Sequence, residues 1–281
     1  MIFCDCPIIT VLIFTAITLF VVKKIKKFVK APGIRPKPKV HKEDYKKGTV
    51  YLYQFKRLRN CPNISPFCLK IESLCRIYNI PYETVEGSKL RSRNGTLPFI
   101  ELDGEHIADS DLIEIKLKQR FNIKALSTEQ NALSVALSKL ADNHLFYVLI
   151  RYKAMVDSFY WMVLDMLDLP KFLNPVLFPI IKKVLGRKIY YRSVAGIGNF
   201  ESQELDEILH RDLKVFEDSI KGKFMLGDEL GGVDAALFGQ IASVYYPSRT
   251  YLNDVLEKDF PKLLEYIERV KKELYPNDFT V

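Results

Sequence analysis

LPFIELDGEHIADSDLIEIKL, residues 97–117, reads as two short strands, Leu97–Leu102 and Glu105–Ile107, folded back on each other at Asp103-Gly104 and followed by a helix that runs from Asp109 to Phe121. Asp-Gly between alternating apolar residues is the signature of a tight hairpin. Asp109 or Ser110 is placed to cap the helix, with Leu112, Ile113, Ile115 and Leu117 expected on its inner side. Upstream, TVYLYQF (49–55) alternates β-formers as a strand does, and PYETV (81–85) gives a second strand. Between them SPFCLKIESLCRIY (65–78) places Cys68, Ile71, Leu74 and Cys75 at helical spacing, behind Ser65 as N-cap and Pro66 at the first helical position. Only a weak helix, Ser88–Arg93, is expected in the connection to Leu97. The order β-α-β, then β-β-α, is that of a thioredoxin-like domain, here residues 48–122.

From residue 127 to the end the pattern changes to long helical stretches, so the fold class is α/β followed by all-α: a thioredoxin-like domain and then a helical bundle, residues 127–281. The expected helices cover 128–150, 152–168, a proline-broken region 169–191, 201–221, 233–246 and 260–275. The very apolar region from Trp161 to Ile181 contains Asp165, Asp168, Lys171 and prolines 170, 175 and 179, which argue for bundle core and against a membrane span. His144 and Trp161 read as bundle residues.

The chain has 281 residues, 48% apolar and 27% charged, enough for one large or two medium cores and too apolar for general disorder. Its net charge of +8 is unevenly spread. Eleven Lys or Arg lie between residues 23 and 47, against only Glu43 and Asp44. With Asp5 the only other charge before residue 48, the rest of the chain balances acid against base, which excludes a nucleic-acid-binding body. The uncharged run PIITVLIFTAITLFVV (7–22) precedes this basic stretch. A cleaved leader wants positive charge before its apolar run; here KKIKK follows it, so the expectation is an uncleaved membrane anchor, residues 1–24, with the folded part facing the cytoplasm. Residues 25–47 then form a basic, proline-containing neck, within which APGIRPKPKV (31–40) is an extended spacer with its lysines against anionic headgroups.

Five cysteines, Cys4, Cys6, Cys61, Cys68 and Cys75, make no disulfide framework and fit a reducing compartment. No cluster has the spacing of a zinc site, so no metal residue is assigned. Cys4 and Cys6 flank the apolar run as unmodified thiols, acylation sites or ligands of a soft metal.

A thioredoxin-like half followed by a helical half resembles the glutathione S-transferase fold. Leu97-Pro98 matches the family's cis-proline position, Asp109-Ser110 its acidic-Ser pair, and GDELGGVDAALFGQI (227–241) its helix-starting box, with Asp234 at the acidic position and Gly231 where the family has Ser or Thr. The closer resemblance is to the branch of the failed axon connections proteins, the metaxins and the nematode cadmium-responsive proteins. QFKRLRNCPNISPFCLKIESLCRIYNIPYE (54–83), residues 97–117 and GDELGGVDAALFGQ (227–240) carry it.

The resemblance implies glutathione as substrate, held by Leu97, Pro98, Asp109 and Ser110. A helix N-terminus with free N–H groups and a hydroxyl is by itself a fit for a carboxylate. At the position of the family's nucleophile stands Ser65-Pro66-Phe67-Cys68, which excludes dithiol chemistry. Ser65 is either the donor to a glutathione thiolate or a plain N-cap; Tyr53 and Cys61 are the alternatives. Two functions stay open: a membrane-anchored transferase in stress or cadmium response, and a catalytically silent module with protein partners or a homodimer.

Overall fold

In the computed structural model the described residues are 38–280 apart from Ser88, Asp168 and Leu169, together with Thr15 and Pro36. The chain divides into two compact units, residues 1–36 and 37–281, and every element named below lies in the second. Four strands, β1 (Val50–Gln54), β2 (Tyr82–Glu86), β3 (Phe99–Leu102) and β4 (Glu105–Ala108), form one sheet in the order β2-β1-β3-β4. β1 runs parallel to β2 and antiparallel to β3, and β3 and β4 form the hairpin across Asp103-Gly104.

Side chains alternate across a strand. Val50 and Leu52 therefore pack on the helical side with Ile71, Leu74 and Ile113, while Tyr51 and Tyr53 meet Phe99 and Ala108 on the opposite face. That second face also buries Glu101, whose carboxylate accepts from the Tyr53 hydroxyl at 2.8 Å and from the backbone N–H groups of His41 and Lys42 at 2.8 and 2.9 Å. His41 and Lys42, near the end of the basic stretch, are thus fastened to the sheet.

Helix α1 (Pro66–Ile77) follows β1, and α2 (Ser110–Arg120) follows β4. Of the apolar residues expected inside α2, Ile113 and Leu117 are buried, whereas Leu112 and Ile115 are exposed. Residues 113 and 117 are four apart and share one stripe; the other two lie a quarter-turn or more away. The connection from β2 to β3 contains no helix among the described residues.

The helical half comprises α3 (Thr128–Leu140), a π-turn (Ala141–Leu145), α4 (Phe146–Met155), α5 (Asp157–Asp165), α6 (Asn174–Ile197), α7 (Ser202–Ser219), α8 (Gly232–Tyr245), α9 (Tyr251–Lys258) and α10 (Pro261–Leu274). α8 is buried at every position from Gly232 to Val244, as expected of a helix apolar on all sides, and it is the axis of the main core. Asp234 organises its start, accepting from Gly231 N at 2.8 Å, Met225 N at 2.9 Å and the Tyr266 hydroxyl at 2.6 Å. The short α9 lies between the expected helices 233–246 and 260–275. Its signal is Thr250 with Asn253, whose Oδ1 accepts from Thr250 N at 2.8 Å as a capping pair.

Two expectations are corrected. The region from Trp161 to Ile181 is bundle core only in part: Leu164 and Met166 are buried, but Phe172 is 78%, Val176 65% and Ile180 53% exposed, and α6 buries only Ile189 and Ser193. α6 is an outer helix whose inward residues wall a cleft and whose outward residues face solvent. The membrane-spanning element is the second correction. No helix among the described residues is long and apolar enough to cross a membrane. The expected span, 7–24, lies outside the described residues apart from Thr15, so the anchor and the orientation drawn from it find no support.

α8 crosses α1 at Gly239, where a Cβ would stand 2.5 Å from the Pro66 carbonyl oxygen and 3.2 Å from Lys70 N. Both neighbours are backbone of a buried helix and cannot swing away. Gly239→Ala is expected to lower stability by about 1–3 kcal/mol, the usual cost of overpacking. Urea unfolding should show the midpoint falling with the slope unchanged.

Candidate active site

The loop ahead of α1 is shaped by Asn63, a buried side chain that donates from Nδ2 to Phe55 O at 2.9 Å and accepts at Oδ1 from Ser65 N at 3.0 Å. This sets Ser65 in an extended conformation as the N-cap of α1, its hydroxyl accepting from Cys68 N at 3.4 Å. At the head of β3 the Leu97-Pro98 bond is cis. At the head of α2, Asp109 has φ +80°, a region that a residue with a Cβ rarely occupies, and its Oδ1 accepts from Asp111 N at 3.2 Å. Backbone strain of this kind gathers where chemistry needs it.

These pieces converge. Ser65, Leu97, Pro98, Asp109 and Ser110 line one cleft of about 590 Å³, joined by the half-buried Arg91. The N-termini of α1 and α2 both reach it, so free N–H groups and the positive ends of two helix dipoles face the same space. Phe146, Ile150 and Lys153 of α4, Phe159 of α5, and Ile189 and Arg192 of α6 form the other wall. One side of the cleft is formed by the two helix N-termini and suits an anion; the other is mainly apolar but also carries the basic side chains Lys153 and Arg192.

Tyr53 and Cys61 are not brought to the cleft. The β1 alternation turns Tyr53 to the far face of the sheet, where burial and the Glu101 carboxylate push its phenol well above its ordinary value. Cys61 is buried with its Sγ 3.4 Å from Asn63 O and 3.7 Å from Ala242 O, and burial pushes the thiol up to about 12. Burial does the same to Cys68, also to about 12. Neither thiol is poised as a nucleophile.

A glutathione S-transferase N-terminal domain model matches residues 66–159 and a glutathione S-transferase C-terminal domain model matches residues 209–270, together more than half of the chain. The chain belongs to the glutathione S-transferase family. It is 33% identical over 257 residues to Failed axon connections of Drosophila melanogaster, a match that covers 85% of this chain and 61% of that protein. It is 24% identical over 234 residues to an isoprene-epoxide–glutathione S-transferase of Rhodococcus, covering 80% of this chain and 98% of that one. In structure it is similar to a glutathione S-transferase of Ceriporiopsis subvermispora in complex with glutathione, at a TM-score of 0.56 and 16% identity, covering 82% of this chain and 99% of the other. A Sphingobium beta-etherase gives 0.54 and 15%, covering 79% and 94%. The branch read from the sequence is thereby supported; the likeness to nematode cadmium-responsive proteins is not.

This transferase-family cleft contains a residue that pattern reading passed over. Lys153 is 5% exposed, and its Nζ donates to the carbonyl oxygen of Ile64 at 2.7 Å. Burial lowers its pKa to about 7, and among the described residues the Cys61 thiol is the one ionisable group that works against this. The other buried lysine, Lys70, has the opposite fate: burial works against its charge, but Asp142 and Glu114 more than offset it and hold the pKa above the usual value. The available signal was position, since Lys153 follows Leu149 by four and Ile150 by three, on the inward stripe of an apolar helix.

A buried amine without a counter-ion weakens the fold. Between about pH 7 and pH 10.5 the unfolded chain holds a proton on Lys153 that the folded chain lacks, so stability rises with pH across that window, and below it the full penalty applies. Lys153→Met is expected to stabilise the protein by about 1–4 kcal/mol at or below pH ~7, the gain shrinking toward pH ~10. Urea unfolding of both proteins across that range measures it.

Proposed function

We propose that the chain binds glutathione in this cleft and joins its sulfur to an apolar electrophile held by α4, α5 and α6. The observation that carries the reading is the convergence of Ser65, Leu97-Pro98 and Asp109-Ser110 between two helix N-termini. The γ-glutamyl carboxylate would lie at Ser110 and the free N–H groups of α2, and the cysteinyl unit against the Leu97 backbone. The Ser65 hydroxyl accepts from Cys68 N and lies beside the Cys68 thiol, so its O–H would turn from that sulfur to the glutathione thiolate. A bond of that kind to a charged group is worth about 1.5–3 kcal/mol, or one to two units of thiol pKa.

Any part in stress or cadmium response is proposed to run through this conjugation. Cys61, Cys68 and Cys75 are buried thiols with raised pKa values, poor ligands for a soft ion. The second reading, a silent interaction module, is favoured by the identity to Failed axon connections, of which this chain spans 61%.

Calorimetry with glutathione and a conjugation assay separate the two. Ser110→Ala should weaken binding by about 1–2 kcal/mol, roughly 5- to 30-fold. Ser65→Ala should leave the affinity nearly as it was and lower kcat/KM by about 10- to 100-fold, reflecting loss of the bond to the thiolate. Wild-type protein that does not bind glutathione would rule out the transferase reading and leave the module.

A further inference from the structure

Conjugation as described gives Lys153 no task, and Lys153 has basic company. Arg91, from the connection between β2 and β3, and Lys188 and Arg192 of α6 line the same cleft, and among the described residues none of these three is paired with a carboxylate. Of the carboxylates that also reach the cleft, Asp111 and Asp142 are held by Lys70, and Asp109 caps α2. The space is therefore cationic, and the two helix N-termini add to its positive potential. Lys153 and Phe146 stand seven residues apart on α4, about 10 Å along its axis. The Arg192 guanidinium lies over the Phe146 ring, 5.4 Å from its centre, with Lys188 one turn earlier on α6. Lys153 differs from these cations in being buried, with its Nζ bonded to Ile64 O and 5.8 Å from the centre of the Phe159 ring. Burial brings the amine to about 7, so near neutral pH much of it carries no proton and keeps a free lone pair. A desolvated neutral amine attacks carbonyl carbon; a hydrated ammonium does not.

We propose that the cleft captures an anionic aldehyde, with Lys153 joined to the carbonyl carbon as an imine and Arg192 and Lys188 holding the carboxylate or phosphate at the other end of the molecule. The Lys153 nitrogen forms a bond to the carbonyl carbon while the carbonyl pair moves onto oxygen. That oxygen then leaves as water with the two amine hydrogens, and a C=N bond takes the place of C=O. Nothing is oxidised or reduced, and water is the only other product. Ile150, Phe159 and Ile189 keep the amine in apolar surroundings, which limits the water that would reverse the step. The guanidinium of Arg192 suits a planar carboxylate or a phosphate, to which it can offer paired N–H groups. Neither Ser65 nor glutathione takes part, so the capture stands apart from conjugation, although the two ligands would compete for one cleft. It also accounts for a lysine kept without a counter-ion at a cost to stability.

Pyridoxal phosphate, an aldehyde that carries a phosphate, is the probe. The full chain is mixed with an equimolar amount at neutral pH, the imine is fixed with borohydride, and the labelled lysine is located by peptide mass spectrometry. Lys153 should carry most of the label, ahead of exposed lysines such as Lys183, and Lys153→Met should lose the imine absorbance. Arg192→Gln should weaken capture roughly 10- to 100-fold, as loss of a hydrogen bond between charged groups does. Pyridoxal, which lacks the phosphate, should be captured by the wild type about as weakly as pyridoxal phosphate is by Arg192→Gln. Label scattered over exposed lysines with Lys153 unmodified would overturn the proposal, and so would equal capture of pyridoxal and pyridoxal phosphate. No glutathione is present, so either failure leaves the conjugation reading untouched, and a chain that does not bind glutathione leaves this capture untouched in turn.

Discussion

Lys70 lies at the crossing of α1 and α8, 1% exposed, with its ammonium 2.7 Å from Asp142, 3.1 Å from Glu114 and 3.6 Å from Asp111. The remaining oxygen of Asp142 accepts from Gln240 of α8 at 3.0 Å. One cation thus gathers α1, α2, the π-turn before α4, and α8. α1 is buried from Cys68 to Cys75 without a break, because the sheet covers one side and the helical half the other. Polar side chains on such a helix must be satisfied across the junction, and removing one partner of a buried ion pair commonly costs about 3–5 kcal/mol. Gly239 lets α8 come close enough for the cluster to close.

A second polar cluster holds the other end of α1. Glu72 is buried and pairs with Arg57 at 2.9 Å and Arg76 at 3.1 Å, while Arg76 also donates to Asp278 and to Leu274 O near the C-terminus. Ser73 meets the Tyr275 hydroxyl at 3.2 Å. The end of the chain is thereby clamped onto the thioredoxin-like half. With α1 held at both ends its N-terminus cannot drift, and Ser65 keeps its place opposite the wall formed by α4 and α6. The precision of the cleft derives from these junctions more than from the loop that bears the serine.

The two buried lysines show how far environment outweighs residue type. Lys70 has three carboxylates and stays charged; Lys153 has a single carbonyl and falls to about 7. Both sit within helices of ordinary pattern. Their contrast is the electrostatic basis for reading one as structural and the other as part of the cleft.

Much of the fold was legible because it is local. Period-two alternation in 49–55, the Ser-Pro start at 65–66, Asp103-Gly104 and the acidic-Ser start at 109–110 are statements about backbone preference over a few residues, and the strands and helices follow them within one or two positions. Five candidate site residues, Ser65, Leu97, Pro98, Asp109 and Ser110, sit at element ends that such signals mark, and they meet in the cleft. What the sequence alone left undecided was which side each element shows to the rest. Tyr53 faces away from the cleft, Val176, Ile180 and Val184 of α6 face solvent, and Lys153 faces inward. Facing and desolvation are sums over groups far apart in the chain: Ile64 on Lys153, Glu101 on Tyr53, Asp142 on Lys70. No window of sequence contains both partners, so those choices were made only by the packed chain.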